Sequence, residues 1–121
     1  MRLFVTALSP LLVLPSVACR GPLEPPLEAF HDGRLPAAAA AFRHLEPELS
    51  GLSDAERARY ALYRGLVHLG LGDAREAERW LSFARRLDGE DPRRFDAVER
   101  GELTSAWRSL GRAAGDDRGA R

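Results

Sequence analysis

The segment from Arg59 to Pro92, RYALYRGLVHLGLGDAREAERWLSFARRLDGEDP, determines the fold predicted for this chain. Apolar residues recur in it every three to four positions, which is the period of an amphipathic helix. Gly72 interrupts the pattern, and glycine readily takes the left-handed conformation that ends many helices. Asp73 is then placed to cap a new helix, and Ser53 and Glu56 upstream match a capping box. The sequence therefore predicts two antiparallel helices joined at Gly72–Asp73.

Small residues at regular positions predict a close contact between these two helices. The pattern resembles the tetratricopeptide repeat, whose small and bulky positions are filled here by Gly65, Gly72–Asp73, Ala77, Leu81 and Ala84. Two features depart from that family. Ala61 stands where an early aromatic residue is usual, and the closing Pro92 comes a few residues late. A plain helical hairpin outside the family is the alternative interpretation.

A second unit precedes the hairpin in the sequence. Aligning Gly33 with Gly72 superposes small and apolar positions of the two units: Ala38 on Ala77, Phe42 on Leu81 and Leu45 on Ala84. We expect a short helix over Leu27–Asp32, a second helix over Ala37–Leu45 that ends at Pro47, and a loop over Glu46–Leu52. This agreement of register predicts an internal repeat.

A third partial unit follows the hairpin. Asp91 and Pro92 are suited to start a helix that runs from Arg93 to about Leu110, and Arg100–Gly101 repeats Arg64–Gly65 within it. The predicted fold is all-α, a short array of antiparallel helical hairpins similar to a tetratricopeptide α-solenoid, with about five helices in residues 27–112. Residues 113–121 have no apolar pattern and are predicted to be a disordered tail. Because the array is small, we expect it to associate with itself or with a partner.

The N-terminus has the features of an export signal. Arg2 precedes a mainly apolar run, and small residues stand at Ser16 and Ala18, so residues 1–18 are predicted to be a signal peptide. Cys19, the only cysteine, follows directly and resembles the acylated cysteine of a bacterial lipoprotein, although that family prefers leucine where Ser16 stands. Residues 19–26 would then be an acylated cysteine and a proline-rich spacer. An uncleaved anchor, or an ordinary signal beside an incidental cysteine, are the alternatives. By the same resemblance, Arg20 after the cysteine favours the outer membrane.

Composition excludes several classes of function. Eighteen basic and eighteen acidic residues cancel, so the chain has no charge signature for nucleic acid. All eighteen basic residues are arginine, and lysine, asparagine, glutamine and isoleucine are absent, which points to a GC-rich, bacterial genome. Lysine-based catalysis is thereby excluded.

Residues that could carry chemistry are few. His31, His44 and His68 have no metal-ligand spacing, and no serine has the setting of a nucleophile. We therefore expect no enzyme activity, no cofactor, no metal and no small-molecule substrate. His68 is interpreted as a buried structural residue.

The resemblance implies instead a partner-binding groove lined by the first helix of each hairpin. Its positions fall on Arg59, Leu62, Leu66, Leu69, Phe95, Val98, Glu102 and Ser105. This mainly apolar set suits an amphipathic or extended peptide, although the same leucines could simply pack between helices. The interpretation is a lipid-anchored module of the bacterial cell envelope that binds another envelope protein or itself. The alternative is a structural subunit permanently packed in a larger envelope assembly.

Overall fold

The computed structural model describes residues 21–119, and this part of the chain contains helices and no strand. Five α-helices follow one another, with a short 3-10 helix after the second and another after the fourth. Their bounds are α1 Glu24–His31, α2 Leu35–Leu45, α3 Asp54–Gly70, α4 Ala74–Glu90 and α5 Ala97–Gly119, with 3-10 helices at Glu46–Gly51 and Pro92–Arg94. The predicted all-α array of about five packed helices is confirmed.

The central hairpin forms as its capping residues predict. The Ser53 side chain accepts a hydrogen bond from the Glu56 backbone N–H, and the Glu56 carboxylate accepts one from the Ser53 N–H, which completes the capping box of α3. Gly72 has a φ of 77° and ends the turn after α3. The Asp73 carboxylate then accepts from the Glu76 N–H at the start of α4. The chain therefore reverses direction at Gly72, the position that the sequence predicts.

Small residues hold α3 and α4 close together. A Cβ atom on Gly65 would lie 2.7 Å from the side chain of Leu81, so only glycine fits there without a shift of its neighbour. Ala77, Leu81 and Ala84 are completely buried. The predicted close contact of the two helices is therefore present, and its tightest point is Gly65 against Leu81.

Two turns, 39 residues apart in sequence, share one hydrogen-bond pattern. The Gly33 and Gly72 N–H groups donate to the carbonyls three residues earlier, and those of Arg34 and Asp73 donate to the carbonyls five residues earlier. This is the Schellman motif, in which a left-handed glycine satisfies the last carbonyls of a helix, and Gly33 has a φ of 74°. The aligned positions are buried in both hairpins: Ala38 and Ala77, Phe42 and Leu81, Leu45 and Ala84. The structure thus supports two units of the same local design.

Several predicted helix ends were wrong. α1 begins at Glu24 and not at Leu27, because Pro25 and Pro26 fit a first helical turn, whose N–H groups need no partner. The segment predicted as a loop from Glu46 to Leu52 contains a 3-10 helix, since Pro47 also fits a first turn.

The last helix is shifted toward the C-terminus. Asp91 caps only the 3-10 turn at Pro92–Arg94, and Phe95 is extended. α5 starts at Ala97, where the Asp96 carboxylate accepts from the Glu99 N–H at 2.8 Å. The helix continues through Gly119, well beyond Leu110, since Ala113 and Ala114 favour helix and no proline interrupts them. Most of the segment 113–121 that was predicted as a disordered tail therefore belongs to α5, although its described side chains are exposed.

A buried polar network ties α2, α3 and α4 together. Tyr60 donates its hydroxyl hydrogen to the Phe42 carbonyl oxygen at 2.6 Å. Arg64, only 4% exposed, donates to the Tyr60 hydroxyl at 2.7 Å and to the Glu46 carboxylate at 2.9 Å. Its guanidinium also lies 4.3 Å from the centre of the Trp80 ring. One arginine thereby connects three helices through hydrogen bonds and a cation–π contact.

The predicted signal peptide and Cys19 lie outside the described residues. Between residues 21 and 119, no helix is both long and apolar enough to span a bilayer.

Candidate functional site

The first helices of the successive units lie side by side. α3 contacts α1 on one side and α5 on the other. We call the exposed side of this row the first-helix face, formed by Glu28 and His31 of α1, Arg59 and Leu66 of α3, and Glu102 and Ser105 of α5, with the buried side chains of Tyr63 and Glu99 beneath it. It is the surface on which the sequence placed its binding groove.

An aromatic cluster joins α1 to α3. The Tyr63 ring centre lies 5.4 Å from that of Phe30 and 6.2 Å from that of His31, both in edge-to-face arrangements. Beside it, an open pocket of about 440 Å³ is lined by residues of α1, by Asp32 directly after it and by Arg59 of α3. Burial raises the pKa of the Tyr63 hydroxyl, and the nearby carboxylates of Glu102 and Glu99 raise it further. Tyr63 therefore lies between an α1 pocket and the acidic residues of α5.

Carboxyl groups cluster at the start of α5. Asp96, Glu99 and Glu102 follow at intervals of three residues, which places them on one side of the helix. Glu99 is only 8% exposed. Burial, and next the neighbouring Asp96 carboxyl, raise the pKa of Glu99 to about 7, and Arg59 offsets only part of this rise. Backbone and side-chain hydrogen bonds with Glu99 lower the pKa of Asp96.

Arg59 lies between the two halves of the face. Its Nε atom is 3.8 Å from Oε1 of Glu99, which is an ion-pair distance without a hydrogen bond. Three buried polar atoms here have no hydrogen-bond partner: Nε of Arg59, Oε2 of Glu99 and Oε2 of Glu102. Buried polar groups are normally paired. The described residues thus leave hydrogen-bonding capacity unused in the interior beneath the face.

The structure divides the eight predicted groove residues. Leu62 and Phe95 are 0% and 4% exposed, so they belong to the core and cannot contact a partner in this conformation. Phe95 also precedes α5 instead of lying on it, because Asp96 caps the helix. The other six remain accessible to different degrees: Arg59, Leu66, Leu69 and Glu102 are partly buried, and Val98 and Ser105 are exposed.

Sequence reasoning missed part of this face. Tyr63 and Glu99 were not among the groove residues, and the i, i+3 spacing of Asp96, Glu99 and Glu102 was the available signal for an acidic cluster. The predicted start of α5 at Arg93 missed only the N-cap role of Asp96, whose carboxylate accepts from the Glu99 N–H. The surface is consequently more acidic than the sequence suggested.

His68 lies in the interior, as interpreted from the sequence. It is 5% exposed, and burial, followed by the charge of Arg64, lowers its pKa. Its Nδ1 atom is 3.8 Å from Asp73, and its Nε2 atom is without a hydrogen-bond partner. A neutral imidazole is therefore favoured, which suits a core residue.

Within residues 21–119, no three histidine, cysteine or acidic side chains are grouped so that they could hold a metal ion. Comparison of the chain with models of protein families, with curated proteins and with solved structures found no match.

Proposed function

We propose that this chain is a non-enzymatic interaction module that binds a partner protein on its first-helix face. The observation that supports this most directly is the exposed row of α1, α3 and α5. It combines an open pocket with accessible apolar and polar side chains. A surface of this kind is suited to an extended or helical segment of another protein. Nothing in its chemistry requires a reaction to be catalysed there.

The location proposed for the module is the bacterial cell envelope. A lipid on Cys19 would anchor the chain, and the few residues between Cys19 and α1 would keep the domain near the bilayer surface. Two or more acyl chains are enough for stable membrane attachment. The outer membrane, on its periplasmic side, is the expected destination. The tetratricopeptide family remains a proposal for the array, supported by the two matching hairpin turns.

The alternative, a subunit buried permanently in a larger assembly, is less favoured. Obligate interfaces are broad and apolar. Among the described residues, only Leu71 and Val98 are large apolar side chains with high exposure, at 42% and 71%. Since these two alone do not form such a surface, reversible binding agrees better with the structure.

In-cell photocrosslinking tests the proposal. A photoreactive amino acid is placed at Val98 on the α5 side of the row and, as a control, at Ala40 on the exposed side of α2. We expect a discrete covalent adduct with one envelope protein from position 98 and none from position 40. The captured protein, purified and mixed with the soluble domain, should bind reversibly with a Kd in the micromolar range, about −8 kcal/mol.

A substitution in the face completes the test. Leu66→Arg should weaken the reconstituted complex while far-UV circular dichroism stays unchanged, because Leu66 is only partly buried. An adduct from Ala40 alone, or a complex that is indifferent to Leu66→Arg, would place the interface elsewhere and contradict the proposal.

A further inference from the structure

A second concave site lies between the 3-10 helix Glu46–Gly51 and α4. It is an open pocket of about 420 Å³, and none of its lining residues belongs to the first-helix face. We call it the α4 pocket. It is lined by two residues of the 3-10 helix, Glu46 and Leu49, and by five of α4, which are Arg79, Trp80, Ser82, Phe83 and Arg86. A partner on the first-helix face would therefore leave this pocket free.

The α4 pocket places an apolar surface between two cations. Arg79, Phe83 and Arg86 follow one another at positions i, i+4 and i+7, so they lie on one side of α4. We call Arg79 and Arg86 the rim arginines. Phe83, and Leu49 of the 3-10 helix, are partly exposed and offer apolar contact area within the pocket.

The guanidinium groups of the rim arginines have hydrogen-bond donors to spare. Arg79 has two carboxylates beside it, at 4.0 Å and 3.7 Å, and both distances exceed that of a hydrogen bond. Arg86 forms no ion pair with a described residue. The two guanidinium groups stack instead on aromatic rings, that of Arg79 at 5.2 Å from the Trp80 ring centre and that of Arg86 at 5.0 Å from the Phe83 ring centre. Stacking leaves the edge N–H groups free and restricts the side chains, which reduces the entropy lost on binding.

Glu46, the acidic residue among those that line the pocket, does not cancel this positive charge. Its carboxylate accepts a hydrogen bond from the buried Arg64 guanidinium at 2.9 Å, whereas Arg79 lies 4.0 Å away. A charge-assisted hydrogen bond is the stronger of these contacts. Since Arg64 balances Glu46, the two rim arginines leave the pocket with a net positive charge.

We propose that the α4 pocket binds an acidic segment of a second protein. An apolar side chain of that segment packs on Leu49 and Phe83, and a carboxylate on either side of it accepts hydrogen bonds from a rim arginine. In an extended peptide, residues two positions before and two after the apolar one point the same way and lie about 13 Å apart, and the rim arginines are about 10 Å apart along the α4 axis. Long side chains cover this difference. The inference goes beyond the first-helix face and does not rest on it, because the chain then holds two proteins on separate surfaces.

An anionic membrane surface is a less favoured occupant. Membrane attachment through charge takes clusters of about four to eight basic residues. The α4 pocket has two rim arginines, and the exposed carboxylate of Glu48 belongs to the same 3-10 helix as Glu46. A flat layer of lipid phosphates would meet that carboxylate, while a single peptide segment can avoid it.

NMR titration of the isotope-labelled mature chain carrying Cys19→Ser tests the proposal with three short peptides. One has glutamate two positions before and two positions after a central leucine, with serine elsewhere. The second has glutamine in place of both glutamates, and the third has serine in place of the leucine. The chain has two tryptophan indole N–H signals, and Trp80 lines the pocket whereas Trp107 does not.

The first peptide should shift the Trp80 signal, leave the Trp107 signal in place and bind with a Kd of about 100 μM. The other two should bind about tenfold more weakly, because one lacks the carboxylates and the other lacks the apolar contact. Binding of the first peptide should weaken when the salt concentration rises from about 0.05 M to about 0.3 M, since the ions screen exposed charges.

Two neighbouring arginines provide matched variants. Arg86→Gln should reduce the affinity for the first peptide about tenfold. Arg85→Gln removes the same charge from the adjacent residue, which is also exposed and also stacks on a ring, that of Trp107 at 4.4 Å, but does not line the pocket. It should change the affinity by less than about twofold, because exposed charges at a distance are screened. Both side chains are exposed, so both variants should keep the far-UV circular dichroism of the wild type.

Four results would overturn the inference. They are equal affinity of Arg86→Gln and Arg85→Gln, equal affinity for the three peptides, a shift of the Trp107 signal in place of the Trp80 signal, and no binding of the first peptide. Cosedimentation with phosphatidylglycerol vesicles that Arg86→Gln abolishes, without binding of the first peptide, would replace the acidic segment by a lipid surface.

The two surfaces can be told apart. Leu66→Arg on the first-helix face should leave binding of the first peptide unchanged. Absence of a photocrosslinked adduct from position 98 would remove the proposed function and leave the α4 pocket unaffected, whereas failure of the peptide titration would leave the first-helix face unaffected.

Discussion

Single residues in this protein have roles that their chemical type alone does not predict. Arg64 belongs to the most exposed class of side chains, yet it is 4% exposed and holds Tyr60, Glu46 and Trp80 together. Glu99 is equally hidden but lacks a comparable set of partners. The first arrangement stabilises the fold, and the second, a buried carboxyl group with an unpaired oxygen, reduces its stability. Their substitutions should therefore have opposite effects.

Arg64→Ala should destabilise the domain by about 2–4 kcal/mol. The change leaves the Glu46 carboxylate and the Tyr60 hydroxyl without their shared donor and removes the stacking on Trp80. Urea denaturation followed by circular dichroism measures it. Arg85→Ala is the matched control, because Arg85 is exposed and stacks on Trp107 at 4.4 Å, a contact of about 0.5–1 kcal/mol. Equal losses for both variants would show that the buried network contributes nothing beyond surface stacking.

Glu99→Gln should stabilise the domain at alkaline pH and not at acidic pH. The folded-state pKa of about 7 lies above the ordinary 4.5, so the folded protein favours the protonated acid. That contribution is complete below pH 4.5 and is lost as the pH rises through about 7. Glutamine stays neutral throughout. At about pH 8 the variant should therefore be more stable than the wild type by roughly 1–2 kcal/mol.

Thermal melts of the wild type, Glu99→Gln and Glu78→Gln across this pH range provide the measurement. Taking the difference from the wild type cancels the separate contribution of His68, whose lowered pKa makes stability fall as the pH decreases through about 6.5. A constant difference between Glu99→Gln and the wild type at all pH values would mean that Glu99 does not titrate as described.

At the scale of elements, the central hairpin is fixed by glycine in two different ways. Gly72 is needed for its backbone conformation, with a φ of 77°. Gly65 is needed for space, since its missing Cβ leaves room for Leu81 of α4. Gly101, which occupies the equivalent place in α5, has no atom within 4 Å of a Cβ built on it. In the described chain no further helix packs there, so the third unit has no second helix.

Gly65→Ala should therefore destabilise the domain, and Gly101→Ala should stabilise it. Alanine favours helix over glycine by about 1 kcal/mol at either site. At position 65 the added methyl group would lie 2.7 Å from Leu81, which is fully buried, and overpacking of this kind costs about 1–3 kcal/mol. Chemical denaturation of both variants compares identical substitutions in two helices. A gain in stability from Gly65→Ala would show that α3 and α4 have room to separate.

For the whole molecule, the proposed lipid determines where the first-helix face can act. Without an anchor the domain would diffuse freely. With one, it is confined near the bilayer and meets envelope partners at a high effective concentration. The exposed surface of the described chain offers no broad apolar patch that would serve as a second means of attachment.

Cys19→Ser should therefore release the protein from the membrane fraction into the soluble fraction of the envelope. The serine hydroxyl cannot accept the thioether-linked lipid, while the preceding residues are unchanged. Fractionation with immunodetection measures the distribution, and intact mass spectrometry of the wild type reports the acyl chains directly. Membrane retention of Cys19→Ser, or an unmodified wild-type mass, would contradict lipidation.

The sequence alone determined the local architecture. Helix period, the capping box at Ser53, the turn glycines Gly33 and Gly72 and the small residues of α4 all act within a few positions of the chain, so their effects can be read from neighbouring residues. These features predicted the all-α class, the central hairpin, and the match between that hairpin and the one before it. Element ends were less certain, because proline and aspartate residues offered more than one place to begin a helix.

Only the tertiary structure decided which of these residues face a partner. Leu62 and Phe95 were predicted as groove residues, but the packing of the helices places them in the core. Arg64 and Glu99 contact helices distant in sequence, such as the 3-10 helix Glu46–Gly51 for Arg64 and α3 for Glu99. Burial and charge depend on which helices meet, and that depends on the packing of the entire array. For this reason the acidic character of the first-helix face is a property of the folded molecule and not of any single helix.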